Sequence, residues 1–143
     1  MECIIVSKCL LGYPCRYDAK SVPCEDVIAL KEKYELIPVC PEEMGGLPTP
    51  RIPAEIVGDR VIRRDGVDVT AEYTLGAKIA LTYAMEKDCK LAILKSKSPS
   101  CGKGMIYDGT FTGTLTHGDG ITVRLFEAKN IQVINEKEAD RLK

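Results

Sequence analysis

Short apolar runs rich in β-branched residues alternate along the chain with segments whose apolar positions recur every three or four residues. That is the pattern of strands separated by helices. "CIIV" (Cys3–Val6), ending in the polar "SK", predicts a first buried strand. "EDVIALKEKY" sets Val27, Ile28, Leu30 and Lys31 at helical spacing, with Pro23 near the start, and predicts a helix. "ELIPVC" (Glu35–Cys40) predicts a second strand, which Pro38 confines to a sheet edge or a bulge. "AEIVGDRVIRRDG" predicts a hairpin around "GD". The clearest helix is "DVTAEYTLGAKIALTYAMEKD": Tyr73, Ala77, Ala80, Leu81 and Ala84 share one face, and Thr70 is placed to cap its start.

"KLAILK" (Lys90–Lys95) predicts a third strand, and "ITVRLFEAKN" carries Ile121, Leu125 and Ala128 on one helical stripe. "IQVIN" predicts a fourth strand, after which Asn135 and Glu138 form a capping-box start for a last short helix. The fold class this predicts is α/β, three layers around a mostly parallel, Rossmann-like sheet with a β-hairpin insertion. Neither a repeat nor a linker interrupts the sequence, so residues 1–143 are expected to form a single domain. In open sheets of this kind, ligands bind outside the carboxyl ends of the strands.

Composition adds exclusions. The chain is 45% hydrophobic and 29% charged with a formal net charge of −1, a globular balance with no basic excess to recommend a nucleic-acid partner. "MECIIVSKCLLG" is too short and interrupted for a signal peptide or a membrane span. A cytoplasmic chain without a membrane partner is therefore expected. Thiols stay reduced in that compartment, and seven cysteines are an odd number, so a complete disulfide framework is not expected.

Three of the cysteines follow predicted strands: Cys9 after "CIIV", Cys40 at the end of "ELIPV", and Cys101 in "KSKSPSCG" after "LAIL". A parallel sheet would bring all three to one rim. Each adjoins glycine, proline or charge rather than an apolar run, which favours chemistry over packing. Cys3, Cys24 and Cys89 read as buried filler. Cys15, in "GYPCRYD", is close enough to Cys9 to join the cluster. No CxxC pair exists, and the one histidine, His117, reads as a loop residue. Three soft thiolates without imidazole suit an iron–sulfur cluster or zinc. Glu42, two residues after Cys40, is placed for acid–base work beside such a site, whereas Glu43 reads as a solvated loop residue. Ser98 precedes Cys101 by three positions and reads equally well as a turn serine or a site residue. Arg51 is a short loop away from Cys40 and reads as a partner of substrate or cluster charge, or of a structural ion pair.

The motifs "VSKCLLGYPCRYD", "VCPEEMGGLPTPRIPAEI", "GVDVT", "AILKSKSPSCG", "IYDGTFTG" and "GDGITVRLF", in that order, resemble those of the DUF523 family. That family includes the iron–sulfur-dependent thiouracil desulfidases, and the resemblance covers nearly the whole chain. It implies a [4Fe–4S] cluster held by Cys9, Cys40 and Cys101, with one iron left open for the substrate's sulfur. Catalytic roles for Glu42 and Ser98 are implied with it. The implied reaction removes sulfur hydrolytically, without net redox change, from a thiolated nucleobase or similar small thio compound, giving uracil and sulfide from thiouracil.

Two other readings share these residues. One is a sulfur carrier using the same open cluster. The other is a non-catalytic sensing module in which Cys15 closes a four-thiolate site. "GTFTGTLTHGDG" lacks the lysine and spacing of a phosphate loop and reads as turns between short strands. Arg60, Arg63 and Arg64 read as a solvated hairpin edge.

Overall fold

The computed structural model describes residues 1–143. The chain runs from β1 (Cys3–Ser7) through a 3-10 turn to α1 (Glu25–Ile28), which passes into a second 3-10 turn before β2 (Glu35–Val39). Then follow α2 (Pro41–Met44), the hairpin β3 (Ala54–Val57) and β4 (Arg60–Arg63), and the long α3 (Thr70–Glu86). The remainder is β5 (Leu91–Leu94), a second hairpin of β6 (Met105–Tyr107) and β7 (Leu115–His117), α4 (Ile121–Ala128), β8 (Gln132–Asn135) and a 3-10 helix over Glu136–Leu142.

The main sheet has the order β2-β1-β5-β8, and every pairing in it is parallel. Period-two alternation sends its side chains to opposite faces. Ile5, Ala92 and Leu94 pack with Ala80, Ala84, Val123 and Phe126 of α3 and α4. Ile4, Val6 and Ile93 pack on the other face with Val27, Leu30 and Ala139. These are the three expected layers. Pro38 is tolerated because β2 is an edge strand, paired only with β1.

The connections from β1 run outward to β2, while those entering β5 lie on the other side, so the strand order reverses between β1 and β5. Such a reversal opens a crevice at the carboxyl ends. Ser7, the last residue of β1, bridges it: its Oγ accepts the Lys95 amide at 2.8 Å.

The face predicted for α3 is buried as expected, but Thr70 does not cap it. Asp68 Oδ1 accepts the Thr70 amide at 2.9 Å, while Thr70 Oγ1 accepts the Val61 amide at 2.8 Å and ties the helix to β4. In α4 the buried stripe is Thr122, Val123 and Phe126; Ala128 is exposed. Ile121 and Leu125 of the predicted stripe are half-buried against the core, while Ala128 falls outside it, because a two-turn helix pinned at its start is oriented by that anchor. The capping box of Asn135 and Glu138 is formed, on a 3-10 helix. Cys3 and Cys89 are not separate packing residues: they pair as a disulfide, with Cα atoms 5.3 Å apart, a spacing suited to the bond. No helix is long and apolar enough to cross a membrane.

Candidate active site

The carboxyl ends of β1, β2 and β5 surround a cavity of about 370 Å³, lined by Cys9, Cys15, Cys40 and Cys101 together with Glu42, Arg51, Tyr73 and Ser98. A second hollow of about 510 Å³ lies at the opposite rim beside Cys3 and Lys87 and gathers no comparable set of donors. The chemistry belongs to the first.

Each thiol is placed by local structure. Cys9 sits in the 3-10 turn after β1, which ends at Gly12 with φ of 100°. Its carbonyl accepts the Gly12 and Val22 amides, so the loop carrying Cys15 folds back over it. Cys40 directly follows β2 and precedes Pro41, the first residue of α2.

Cys101 depends on the "SPSCG" turn. Ser98 Oγ accepts the amides of Ser100 and Cys101, each at 3.0 Å. The start of α4 donates back to the same turn, Ile121 to the Pro99 carbonyl and Thr122 to the Ser100 carbonyl, both at 2.9 Å. Ser100 Oγ also meets Thr122 Oγ1 at 2.7 Å. The turn is therefore built on the helix, and its polar residues are spent on holding the thiol in place.

α2 carries Glu42 and lies against α3 at a backbone-to-backbone crossing. A Cβ on Gly76 would come 1.7 Å from the Pro41 carbonyl oxygen, and one on Gly45 would come 2.0 Å from that of Glu72. Only two glycines permit this approach. It delivers Glu42 to a cage of donors: Arg51 Nε at 2.8 Å and Nη2 at 2.6 Å on Oε2, and Ser98 Oγ at 3.4 Å on Oε1. Tyr73 lines the same cavity as this carboxylate. Arg51 also donates to the Cys15 carbonyl at 2.9 Å, so one guanidinium fixes both the carboxylate and the Cys15 loop. At 7% and 15% side-chain exposure, Arg51 and Glu42 form a largely buried ion pair.

Burial pushes the Cys101 thiol up to about 12, against the lowering effect of the Ser7 hydroxyl. At Cys15 the Cys40 thiol pulls downward, but the Cys9 thiol and burial carry the pKa up to about 11. Cys40 is raised by the Cys15 thiol and by burial. These sulfurs hold their protons at neutral pH until a metal displaces them. Burial, then the Glu42 carboxylate, likewise raise Tyr73 and keep its hydroxyl a donor.

The predicted residues Cys9, Cys40, Cys101, Glu42 and Ser98 thus meet in one cavity, joined by Cys15 and Arg51. Glu43 departs from expectation: its carboxylate is half-buried, accepts Thr49 Oγ1 at 2.6 Å, and lies within 4.8 Å of the Cys15 and Cys40 sulfurs. His117 is on strand β7, exposed and away from the site. Arg60 and Arg63 pair with Asp68 and Asp65 on the hairpin, but Arg64 lines the cavity. Sequence reading missed Ser7, Tyr73 and Glu55. Glu55 is buried on β3 and accepts the Gly109 and Phe111 amides, holding the loop between β6 and β7. No spacing rule marks these three, because each reaches the site from a different element.

The donor set fits an iron–sulfur cluster: four buried or half-buried sulfurs, no imidazole among them, in a cavity of useful size. Six basic side chains (Lys8, Arg16, Arg51, Arg64, Lys95 and Lys97) against two carboxylates, Glu42 and Glu55, supply the positive surroundings that an anionic thiolate cluster needs.

Comparison with known proteins agrees with this chemistry. The chain is 44% identical to the solved structure of the [4Fe-4S]-dependent thiouracil desulfidase TudS, with a TM-score of 0.94 over 99% of this chain and 95% of that one. It is 40% identical over 145 residues to the uncharacterized protein YbbK of Bacillus subtilis strain 168, covering 94% of this chain and 96% of YbbK. The sequence profile of the 2-thiouracil desulfurase family matches residues 4–138. The chain therefore belongs to the 2-thiouracil desulfurase family.

Proposed function

We propose that the protein is a [4Fe–4S]-dependent desulfidase that hydrolyses the carbon–sulfur bond of thiouracil or a similar small thio compound, giving the oxo compound and sulfide. The observation that carries the reading is the meeting of Cys9, Cys40 and Cys101 with the caged carboxylate of Glu42 in one cavity. Family membership and the likeness to TudS support it.

Cys9, Cys40 and Cys101 hold the cluster, and Cys15 remains outside its ligand set. When bound, the cluster supplies a Lewis-acidic iron that attracts the thiocarbonyl sulfur and makes the attached carbon electrophilic. The overall reaction consumes one water and releases sulfide as its conjugate acid, so no electron donor or acceptor is required. Glu42 holds the attacking water and receives its proton. A carboxylate offers about four lone-pair positions, so the two bonds from Arg51 and the one from Ser98 leave one for a water. Ser98 has one proton to give and directs it to Glu42 while its oxygen accepts two amides. Its part is to hold the carboxylate and the Cys101 turn together. Tyr73 and the walls of Ile52 and Pro53 limit access of bulk water and give a planar heterocycle an apolar surface.

The test is turnover of 2- and 4-thiouracil by protein reconstituted without oxygen, following oxo product and sulfide together. One sulfide per product is expected. Glu42→Gln keeps a hydrogen-bond acceptor for Arg51 and removes the base. It should retain iron and sulfide while losing roughly a hundredfold or more in kcat, the range for removal of a general base. Full turnover by Glu42→Gln would remove Glu42 from the mechanism.

A further inference from the structure

We propose that, before a cluster is loaded, the chain binds one soft divalent ion, zinc above all, on Cys15, Cys40 and Glu43. This donor set differs from Cys9, Cys40 and Cys101, and it does not rest on the desulfidase reading. It follows from where the unloaded side chains stand.

The ligand atoms of Cys15, Cys40 and Glu43 all lie within 4.8 Å of one another. Zinc held by three protein ligands with its fourth position open to water is an ordinary arrangement. Tetrahedral zinc with bonds of about 2.3 Å to sulfur sets its ligands about 3.8 Å apart. The group must contract by only about an ångström around the ion. Cys101 is not in this group.

Glu43 is prepared for such a role. Thr49 Oγ1 donates to its Oε2 at 2.6 Å and fixes the plane of the carboxylate. Lys8 Nζ, 4.0 Å from Oε1, is the one cation beside it. Two thiolates and a carboxylate around a divalent ion leave a charge of about −1, which Lys8 and the Arg51 that holds the Cys15 carbonyl offset. Mixed sulfur and oxygen donors bind zinc more tightly than ferrous iron in the ordinary order of divalent metals.

Because Cys40 serves both sets, zinc and the cluster exclude each other. Zinc bound here acts as a brake on cluster loading, and Cys15 and Glu43 are the residues that belong to the brake alone.

The experiment titrates the metal-free full chain, kept without oxygen, with Zn²⁺ against a competing chromophoric chelator. Parallel samples receive Co²⁺, whose thiolate charge-transfer absorption reports sulfur ligation. The same proteins are then challenged with iron and sulfide. The expected result is one zinc per chain. Cys15→Ser and Glu43→Gln should each weaken zinc binding by roughly tenfold or more, a loss at least as large as for groups that only hydrogen-bond a metal's ligands. Both should still accept iron and sulfide as the parent does, and Cys101→Ser should bind zinc like the parent yet fail to hold iron. Zinc-loaded parent should refuse iron and sulfide until the zinc is removed.

Parent-like zinc affinity in Cys15→Ser, an equal loss in Cys101→Ser, or no zinc bound by a metal-free chain of native circular dichroism would overturn the proposal. Glu43 is half-exposed, so Glu43→Gln tests the site even where a cysteine variant folds poorly. If the zinc pattern holds but thiouracil is not turned over, the functional reading alone fails.

Discussion

At the scale of single residues, the site depends on a buried charge pair. Arg51 makes two contacts to Glu42 and one each to the carbonyls of Pro48 and Cys15. Removing it leaves the Glu42 carboxylate without its counter-charge at 15% side-chain exposure, and breaking a buried pair in this way costs about 3 kcal/mol or more. Arg51→Ala is therefore expected to lower unfolding stability by about that amount in a denaturant titration and to reduce turnover together with it. Arg51→Lys restores charge but not the planar fork, and should recover stability in part while the Cys15 loop stays loose. Equal stability of Arg51→Ala and parent would show that the pair is not the clamp described. This residue was legible in the sequence only as a basic side chain near Cys40; its pairing with Glu42 needed the fold of the intervening loop.

At the scale of elements, the position of Glu42 is set by the crossing of α2 and α3. Gly76→Ala would place a methyl 1.7 Å from the Pro41 carbonyl oxygen. Separation of the helices is the only relief. Overpacking of this kind typically costs about 1–3 kcal/mol, and here the displaced element carries Glu42, the carboxylate proposed as the base. Gly76→Ala should therefore lose turnover out of proportion to its loss of melting temperature, with iron and sulfide content retained. A variant with full kcat at an unchanged melting temperature would contradict the close crossing. Sequence periodicity foresaw the buried face of α3, since Tyr73, Ala77, Ala80, Leu81 and Ala84 are all buried. It could not foresee that Gly76 on that face is a contact site, nor that α4 would be oriented by the "SPSCG" turn rather than by its own apolar stripe. Local pattern reads burial; it does not read which neighbour does the burying.

At the scale of the whole molecule, four parallel strands in the order β2-β1-β5-β8 make a crevice where the order reverses, and three of the chain's strand ends deliver a cysteine there. This was the most legible part of the sequence, because a cysteine after each strand of a parallel sheet can only gather at one rim. The disulfide of Cys3 and Cys89 was not legible: its partners are 86 positions apart and lie at the other rim, where no motif marks them. On the proposed function, Cys9, Cys40 and Cys101 hold a cluster and Cys15 does not. The most direct test is iron and acid-labile sulfide per chain, after reconstitution without oxygen, in the parent, Cys15→Ala and Cys101→Ala. Close to four of each, the content of a [4Fe-4S] cluster as in TudS, are expected in the parent and in Cys15→Ala, and neither in Cys101→Ala. A full cluster in Cys101→Ala, or its loss in Cys15→Ala, would contradict it.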